Sequence, residues 1–369
     1  MKKLLAVMLV CAVIFGCVAT VPGFGANGGK SAFRADAFSH ELKTESGKST
    51  DASLDYCLYC SRVHTGVSGE FIGFFHRIAY FFCRLFNIEL TQGRMRFTDV
   101  TIDAGAEKPF CFLHISDTHL TLWDERDDAK KQELSKSRYE SFPYSLRMLD
   151  DAQAKADELG CFIVHTGDII DFITEKNIER VKLFTDKNDV FATAGNHEFY
   201  NYIFGESCTP QQREPNLDKV QSAFKNNIRF DSRQVNGVNI VAIDNGFYHI
   251  DQRQLDRLKE EIAKGMPIIL CLHVPLYAPD IYDYTAEFFG RPLWMMSVPE
   301  DLMGEYSEQE KDEQKEDALT HEAYELITGS PLIKAIFAGH MHYDFVSQVT
   351  PTLKQYIVSV DSANIVEVK

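Results

Sequence analysis

Five short polar clusters, each closing a run of apolar residues, constrain this chain more than any other feature. The middle one, Gly195-Asn196-His197-Glu198, follows Val190 to Ala194. Upstream stand Asp117-Thr118-His119 and Gly167-Asp168-Ile169-Ile170-Asp171. Downstream stand His273 alone and Gly339-His340-Met341-His342. Apolar runs of four to six residues ending in such groups are strands that deliver polar side chains to one edge of a sheet. Between them lie helical periodicities, at Ser137–Leu159, Asn177–Thr185, Leu217–Phe224, Asp251–Lys264 and Ala318–Ile327. Strand-like runs cover Phe110–Ser116, Phe162–Thr166, Val190–Ala194, Val238–Ile243, Pro267–Leu272, Lys334–Ala338, Phe345–Val349 and Gln355–Val358. Such alternation predicts an α/β layered domain.

In open α/β sheets ligands bind beyond the carboxyl ends of the strands, where all five clusters fall. Asp117 and His119 are two residues apart, as are His340 and His342. In extended backbone, residues two apart point the same way, so each pair can converge on one centre. Carboxylate, imidazole and amide oxygen form a donor set without thiolate, suited to Mn, Fe, Zn, Ni or Co. Asp117, His119, Asp168, Asn196, His273, His340 and His342 are more candidate ligands than one ion uses. Seven residues with one shared carboxylate suit two ions about 3.5–4 Å apart, which acidify a bridging water and hold phosphoryl oxygens.

The order DxH, GDxxD, GNHE, a lone His and GHxH, from Asp117 to His342, resembles the calcineurin-like metallophosphoesterase superfamily. The resemblance implies a four-layer αββα sandwich with two mixed sheets, and hydrolysis of a phosphomonoester or phosphodiester by a metal-bridging hydroxide. Carried over, it places Asp117, His119 and His342 at one metal and Asn196, His273 and His340 at the other, with Asp168 bridging. His197, beside Asn196, becomes the catalytic histidine near the leaving group. Asp171 orients a ligand or loop, and Glu198 supports the turn at His197. Purple acid phosphatases carry Tyr where Asp171 stands, so that branch is disfavoured. A metal-binding scaffold of the same superfamily without turnover is the alternative, and the complete ligand set with His197 present argues against it.

Net charge bears on partners. With 38 basic against 54 acidic residues the chain carries −16, so no nucleic-acid-binding face is expected. A phosphoester substrate is the expected partner. The domain is expected over residues 105–369, behind an N-terminal helical and flexible extension. Residues 1–19 have the layout of a secretory signal, Lys2 and Lys3 before an apolar stretch from Leu4, so export is expected. Ile14-Phe15-Gly16-Cys17 resembles a lipobox, making a lipoprotein through Cys17 a variant of that reading. Residues 20–70 read as a flexible spacer and 71–104 as an aromatic-rich helix and linker. Within the latter, residues 71–88 are expected either to contact a membrane surface, with Arg77 and Arg84 on one face, or to dock on the domain.

Other residues get structural readings. Cys111, Cys161 and Cys271 sit in apolar runs and read as small core residues. Cys57 and Cys60 form a lone CxxC, compatible with a local disulfide or a pairing with Cys208. His114 and His165 read as core; His64, His76, His249 and His321 as surface or structural. Arg291, Trp294, Tyr282 and Tyr200 read as packing residues before substrate contacts, and Glu305–Asp317 as a solvated face.

Overall fold

The computed structural model describes residues 94–203 and 209–369. The expectations for residues 1–88, with Cys17, Cys57 and Cys60, and for Cys208 lie outside the described residues. Two mixed sheets form the middle of the domain. The first contains β1 (Arg96–Ile102), β2 (Phe110–Ile115), β3 (Phe162–His165), β4 (Val190–Ala192) and β11 (Ser362–Val368), in the order β1-β11-β2-β3-β4. The second contains β5 (Phe230–Val235), β6 (Val238–Ile243), β7 (Ile268–Cys271), β8 (Ile333–Ala338), β9 (Phe345–Thr350) and β10 (Leu353–Ile357), in the order β5-β6-β7-β8-β10-β9. β2, β3 and β4 run parallel, as do β6, β7, β8 and β10, while β11, β5 and β9 pair antiparallel with β2, β6 and β10.

The central parallel strands are apolar throughout because both of their faces are covered. Every residue of β6 and β7 is buried. Phe112, Val164 and Phe191 from the first sheet meet Ile240, Ile269 and Phe337 from the second in an inter-sheet core. The outer face of the first sheet is covered by α2 (Ser145–Leu159) and α3 (Glu175–Lys187), through Met148, Leu149, Ala152, Val181 and Phe184. α6 (Gln252–Ala263) and α9 (Ala318–Gly329) cover the other sheet through Leu255, Leu258, Ala323 and Ile327. The result is helix, sheet, sheet, helix, the expected four-layer sandwich. The shorter helices are α1 (Ala129–Tyr139), α4 (Pro210–Arg213), α5 (Leu217–Gln221), α7 (Pro279–Phe289) and α8 (Glu308–Gln314). Among the described residues no helix is long and apolar enough to cross a membrane.

Four details differ from the sequence reading. The helical periodicity over Ser137–Leu159 is two helices, since α1 ends at Tyr139 and α2 starts at Ser145. Pro143 lies between them; it restricts the residue before it and supplies no backbone donor. α1 is capped by Asp128, whose side chain accepts from Lys131 N. Second, the domain begins before residue 105, because Arg96–Ile102 pairs residue for residue with Ser362–Val368. Third, β5 was not expected: Phe-Asp-Ser-Arg-Gln-Val is an edge strand with a mostly polar face.

The fourth difference is a correction. Cys111 and Cys161 are not free core residues but a disulfide, with Cα atoms 5.3 Å apart. Cys111 lies near the start of β2 and Cys161 just precedes β3, so parallel pairing of those strands brings the sulfurs together. Cys271 is free and buried, as expected. The bridge joins positions 50 apart in sequence, and loops of this size stabilise by roughly 2–4 kcal/mol. The double substitution Cys111→Ser, Cys161→Ser is therefore expected to lower the urea midpoint of unfolding by a corresponding amount. An unchanged midpoint, or two free thiols on alkylation of the native protein, would contradict the bridge.

Candidate metal centre

All seven candidate ligands lie beyond the carboxyl ends of parallel strands. Asp117 and His119 follow β2, Asp168 follows β3, Asn196 follows β4, His273 follows β7, and His340 and His342 follow β8. The route by which they converge differs from the extended-backbone argument. Asp117, His119, Asp168, His340 and His342 all have left-handed backbone, with φ of 54°, 46°, 57°, 69° and 54°. Residues other than glycine rarely adopt that region, and such strain persists only where surrounding contacts enforce it. Each strand end turns sharply so that alternate side chains come back to one point.

The convergence is close. His119 Nε2 faces His342 Nε2 at 3.0 Å, and His342 Nε2 is 3.4 Å from Asp117 Oδ1. His273 Nε2 faces His340 Nδ1 at 3.1 Å and Asp168 Oδ2 at 3.2 Å. That same Oδ2 lies 3.7 Å from His119 Nε2. Among the described residues, three groups have donor atoms within 4.8 Å of one another: Asp117, His119 and His342; Asp168, His273 and His340; and His119, Asp168 and His197. Asn196 is buried beside them, and its Oδ1 has no hydrogen-bond partner.

These contacts have the dimensions of ligand shells. Two ligands each about 2.0–2.1 Å from one ion stand about 2.9 Å apart on an octahedron and about 3.4 Å apart on a tetrahedron. The buried oxygens that lack hydrogen bonds include Asp117 Oδ1 and Asn196 Oδ1, both in the candidate set. Unsatisfied buried acceptors are costly unless a cation or donor meets them. The site therefore fits positive charge at its centre.

Electrostatics agrees. Burial disfavours a charged His119, but Asp117, Asp171 and Asp168 outweigh it and raise its pKa to about 9. Burial likewise opposes a charged His273, and Asp168 with Asp117 and Glu198 raises it to about 10. The imidazole facing each is pushed the other way. His340 falls to about 3 through burial and the charge on His273, and His342 falls through burial. In each facing pair the carboxylates favour positive charge on one ring.

Around the donors is a set of anchors. Asp171 Oδ1 takes His119 Nδ1 at 2.9 Å. His197 Nδ1 donates to Asp171 O at 2.8 Å, and His273 Nδ1 donates to Thr166 O at 2.8 Å. Such outer bonds fix tautomer and ring orientation. Arg138, from α1, clamps both oxygens of Asp171 at 2.6 and 2.9 Å. Burial opposes ionisation of Asp171, but Arg138, His119 and His197 overcome it and hold the carboxyl well below its ordinary range. Phe142 stacks on His119 with ring centroids 4.3 Å apart. Two residues are excluded from larger types by contact alone. A Cβ on Gly195 would lie 2.2 Å from Asp168 Oδ1, and one on Gly339 2.2 Å from Asp117 Oδ2.

Glu198 does more than support its own turn. Its carboxylate accepts from Gly195 N at 2.6 Å, Asp168 N at 2.8 Å and Ile169 N at 2.7 Å, joining the loops after β3 and β4. Burial and the nearby Asp168 charge push its pKa up to about 7 against the pull of those N–H bonds.

Several residues read as structural make structural contacts. His114 and His165 are buried beneath the site, with His114 Nε2 3.0 Å from Thr166 Oγ1. Burial lowers both to about 3. Arg291 pairs with Glu310 at 2.7 Å, Tyr282 donates to Leu302 O at 2.9 Å, and Trp294 packs on Phe289. Tyr200 lies closer to the chemistry, its ring centroid 5.3 Å from that of His197. Arg138, Phe142 and Tyr248 were missed; Arg138 and Phe142 lie after the ligand-bearing β2, whereas Tyr248 follows β6, which bears no candidate ligand and gave no signal.

Comparison with known proteins gives this arrangement a place. Residues 111–344 match the family model described as calcineurin-like phosphoesterase. The chain belongs to that family. No curated protein matches it. Among solved structures it is similar to a dimetal phosphatase from Danio rerio, at 14% identity and TM-score 0.43, covering 68% of this chain and 88% of the other. It is similar to a 5'-nucleotidase from Candida albicans at 12% identity and TM-score 0.34, covering 72% and 47%. It is also similar to a phosphopantetheinyl hydrolase from Mycobacterium tuberculosis at 10% identity and TM-score 0.33, covering 68% and 89%.

Glu198→Gln tests the junction of the two loops. The amide nitrogen cannot accept, so at least one backbone N–H loses its partner, at about 1–3 kcal/mol per buried group. A lower melting temperature together with weaker metal uptake in calorimetric titration is expected. Wild-type values for both would remove Glu198 from this role.

Proposed function

We propose that this chain is a dinuclear-metal-dependent phosphoester hydrolase acting on a phosphomonoester or phosphodiester. The observation that carries the reading is the position of Asp168 Oδ2, which is 3.2 Å from His273 Nε2 and 3.7 Å from His119 Nε2. One oxygen thus serves two donor groups. Asp117, His119 and His342 would hold one ion, Asn196, His273 and His340 the other, and Asp168 both. When bound, such a pair acidifies water and polarises a phosphoryl oxygen.

The protein's own groups account for the rest. Hydrolysis replaces one P–O ester bond by a bond to water oxygen, and the departing oxygen needs a proton. In this reading His197 supplies it. Its Nδ1 proton is committed to Asp171 O, so Nε2 is the atom that exchanges a proton. Asp171 Oδ1 lies 3.3 Å from the same Nδ1 and helps fix the orientation of the ring. The same bond leaves Nε2 open, as the matching bond does at His273, and His197 can form a donor group with His119 and Asp168, so the metal content of a His197 variant separates acid from ligand. Arg138, held by Asp171, keeps that carboxylate from turning toward the ions.

Export is part of the same proposal. It is supported by the signal-like layout of residues 1–19 and by the Cys111–Cys161 bond, a linkage that persists in oxidising compartments.

Two variants test the assignment with p-nitrophenyl phosphate and its bis ester as substrates and Mn²⁺ as the added ion. His197→Ala is expected to bind metal normally and lose roughly two to four orders of magnitude in turnover. Asp168→Asn is expected to weaken both metal-binding events. Lost metal in the first variant, or one untouched event in the second, would contradict the roles given. No turnover of any phosphoester by protein carrying two ions would contradict the function itself.

A further inference from the structure

The loop after β6, residues 244–248, supplies none of the candidate ligands, yet it touches three of them. Asn245 Oδ1 accepts from His273 N at 2.9 Å and Val274 N at 3.0 Å, and its Nδ2 donates to Val274 O at 2.7 Å. These bonds set the backbone that carries His273. Gly246 packs on the backbone of Gly195 and Asn196 so closely that a Cβ there would fall 2.5 Å from Gly195 C and 2.7 Å from Asn196 N. Tyr248 OH lies 3.0 Å from His340 Nε2.

The last contact says most. His340 turns Nδ1 toward His273 and Nε2 toward the Tyr248 phenol. If Nδ1 is to offer its lone pair to an ion, the ring proton must sit on Nε2 and be donated to the phenol oxygen. Tyr248 is buried and has φ of 65°. A bulky residue in that region is an outlier that the surrounding fold must hold in place. Tyr248 N donates to Asn245 O at 2.8 Å, closing the turn that produces this conformation. Asn245 and Tyr248 thereby act on the two imidazoles that face each other.

We infer that residues 244–248 form a dedicated support for the ion position made by Asn196, His273 and His340, with Tyr248 as a positioning residue that fixes the tautomer of His340. The inference rests on the two-ion reading given above. It adds an asymmetry: one position is oriented by a phenol on a strained loop, whereas the Asp117, His119 and His342 position is oriented by the Asp171 carboxylate and Arg138. Loss of the phenol should affect one ion and spare the other.

Tyr248→Phe keeps the ring in its packing and deletes only the hydroxyl. Metal-free wild-type and variant proteins are titrated with Mn²⁺ by calorimetry, with thermal melting to verify folding, and crystals soaked in Mn²⁺ locate the ions by anomalous scattering. The expected result is two events in the wild type and, in the variant, one event unchanged and one weakened ten- to a hundredfold, a typical effect of removing an outer partner. The weakened ion should be the one beside His273 and His340. Two unchanged events, equal weakening of both, or loss of the ion beside His119 and His342 would overturn the inference. A single event in wild type would overturn the two-ion reading, and Tyr248→Phe leaving that event unchanged would overturn this inference separately. Should Tyr248→Phe melt early, Asn245→Asp, which retains the acceptor for His273 N and Val274 N, is titrated in its place. It is expected to spare the ion beside His119, and weakening of that ion would overturn the proposal.

Discussion

The whole centre depends on how one carboxylate is held. Asp168 has left-handed backbone, its own N–H is bound by Glu198, and its Oδ1 accepts from His197 N at 2.9 Å. These constraints leave Oδ2 no freedom to turn away from the imidazoles of His119 and His273. Burial disfavours its ionisation, but the charges of His273, His197 and His119 keep it ionised, far below the ordinary carboxylate range. A buried anion of this kind is tolerable only with positive charge close by. Every neighbouring element can be read as a consequence: Gly195 has no side chain because Asp168 occupies the space, and Glu198 is buried because two loops must be kept in register.

The strain follows from the same constraint. A strand ending in extended geometry would send its polar residues on along the sheet axis. The left-handed residues at Asp117, His119, Asp168, His340 and His342 fold each strand end back over the sheet edge. Such conformations cost about 1–3 kcal/mol each. They are held by backbone bonds between the turns, among them Asp117 N to Gly167 O, His119 N to Asp168 O and Gly339 N to His273 O. The loops thus restrain one another, and the protein's own backbone bonds hold the shape of the site.

The identity of the candidate ligands was legible because each falls where an apolar run stops, and five such stops in order leave few alternatives. The mechanism of their convergence was not legible, since spacing by two fits extended strands as well as left-handed turns. Arg138 and Tyr248 escaped because their roles depend on which loops adjoin, and a single Arg or Tyr in a mixed run carries no periodic signal. The pairing of Cys111 with Cys161 depends on β2 lying next to β3 in a particular register. Both cysteines sit in apolar runs, which suggests burial. β1, β5 and β11 were missed for a related reason: polar residues interrupt each of these strands, as in Arg96-Phe97-Thr98-Asp99, so no continuous apolar run marks them.

The two ends of the first sheet therefore have different duties. The disulfide ties β2 to β3 at their amino ends, and the candidate ligands leave from their carboxyl ends. Cys111 and Asp117 are six residues apart, about 20 Å along extended chain, and share no hydrogen-bond partner. Sites so separated contribute nearly additively. Covalent stabilisation at one end can then offset the strain concentrated at the other without touching its geometry. A small-residue requirement at Gly195 and Gly339 and left-handed turns at five non-glycine positions concentrate strain at the candidate site. The parallel strands between, buried on both faces, are what transmit the support.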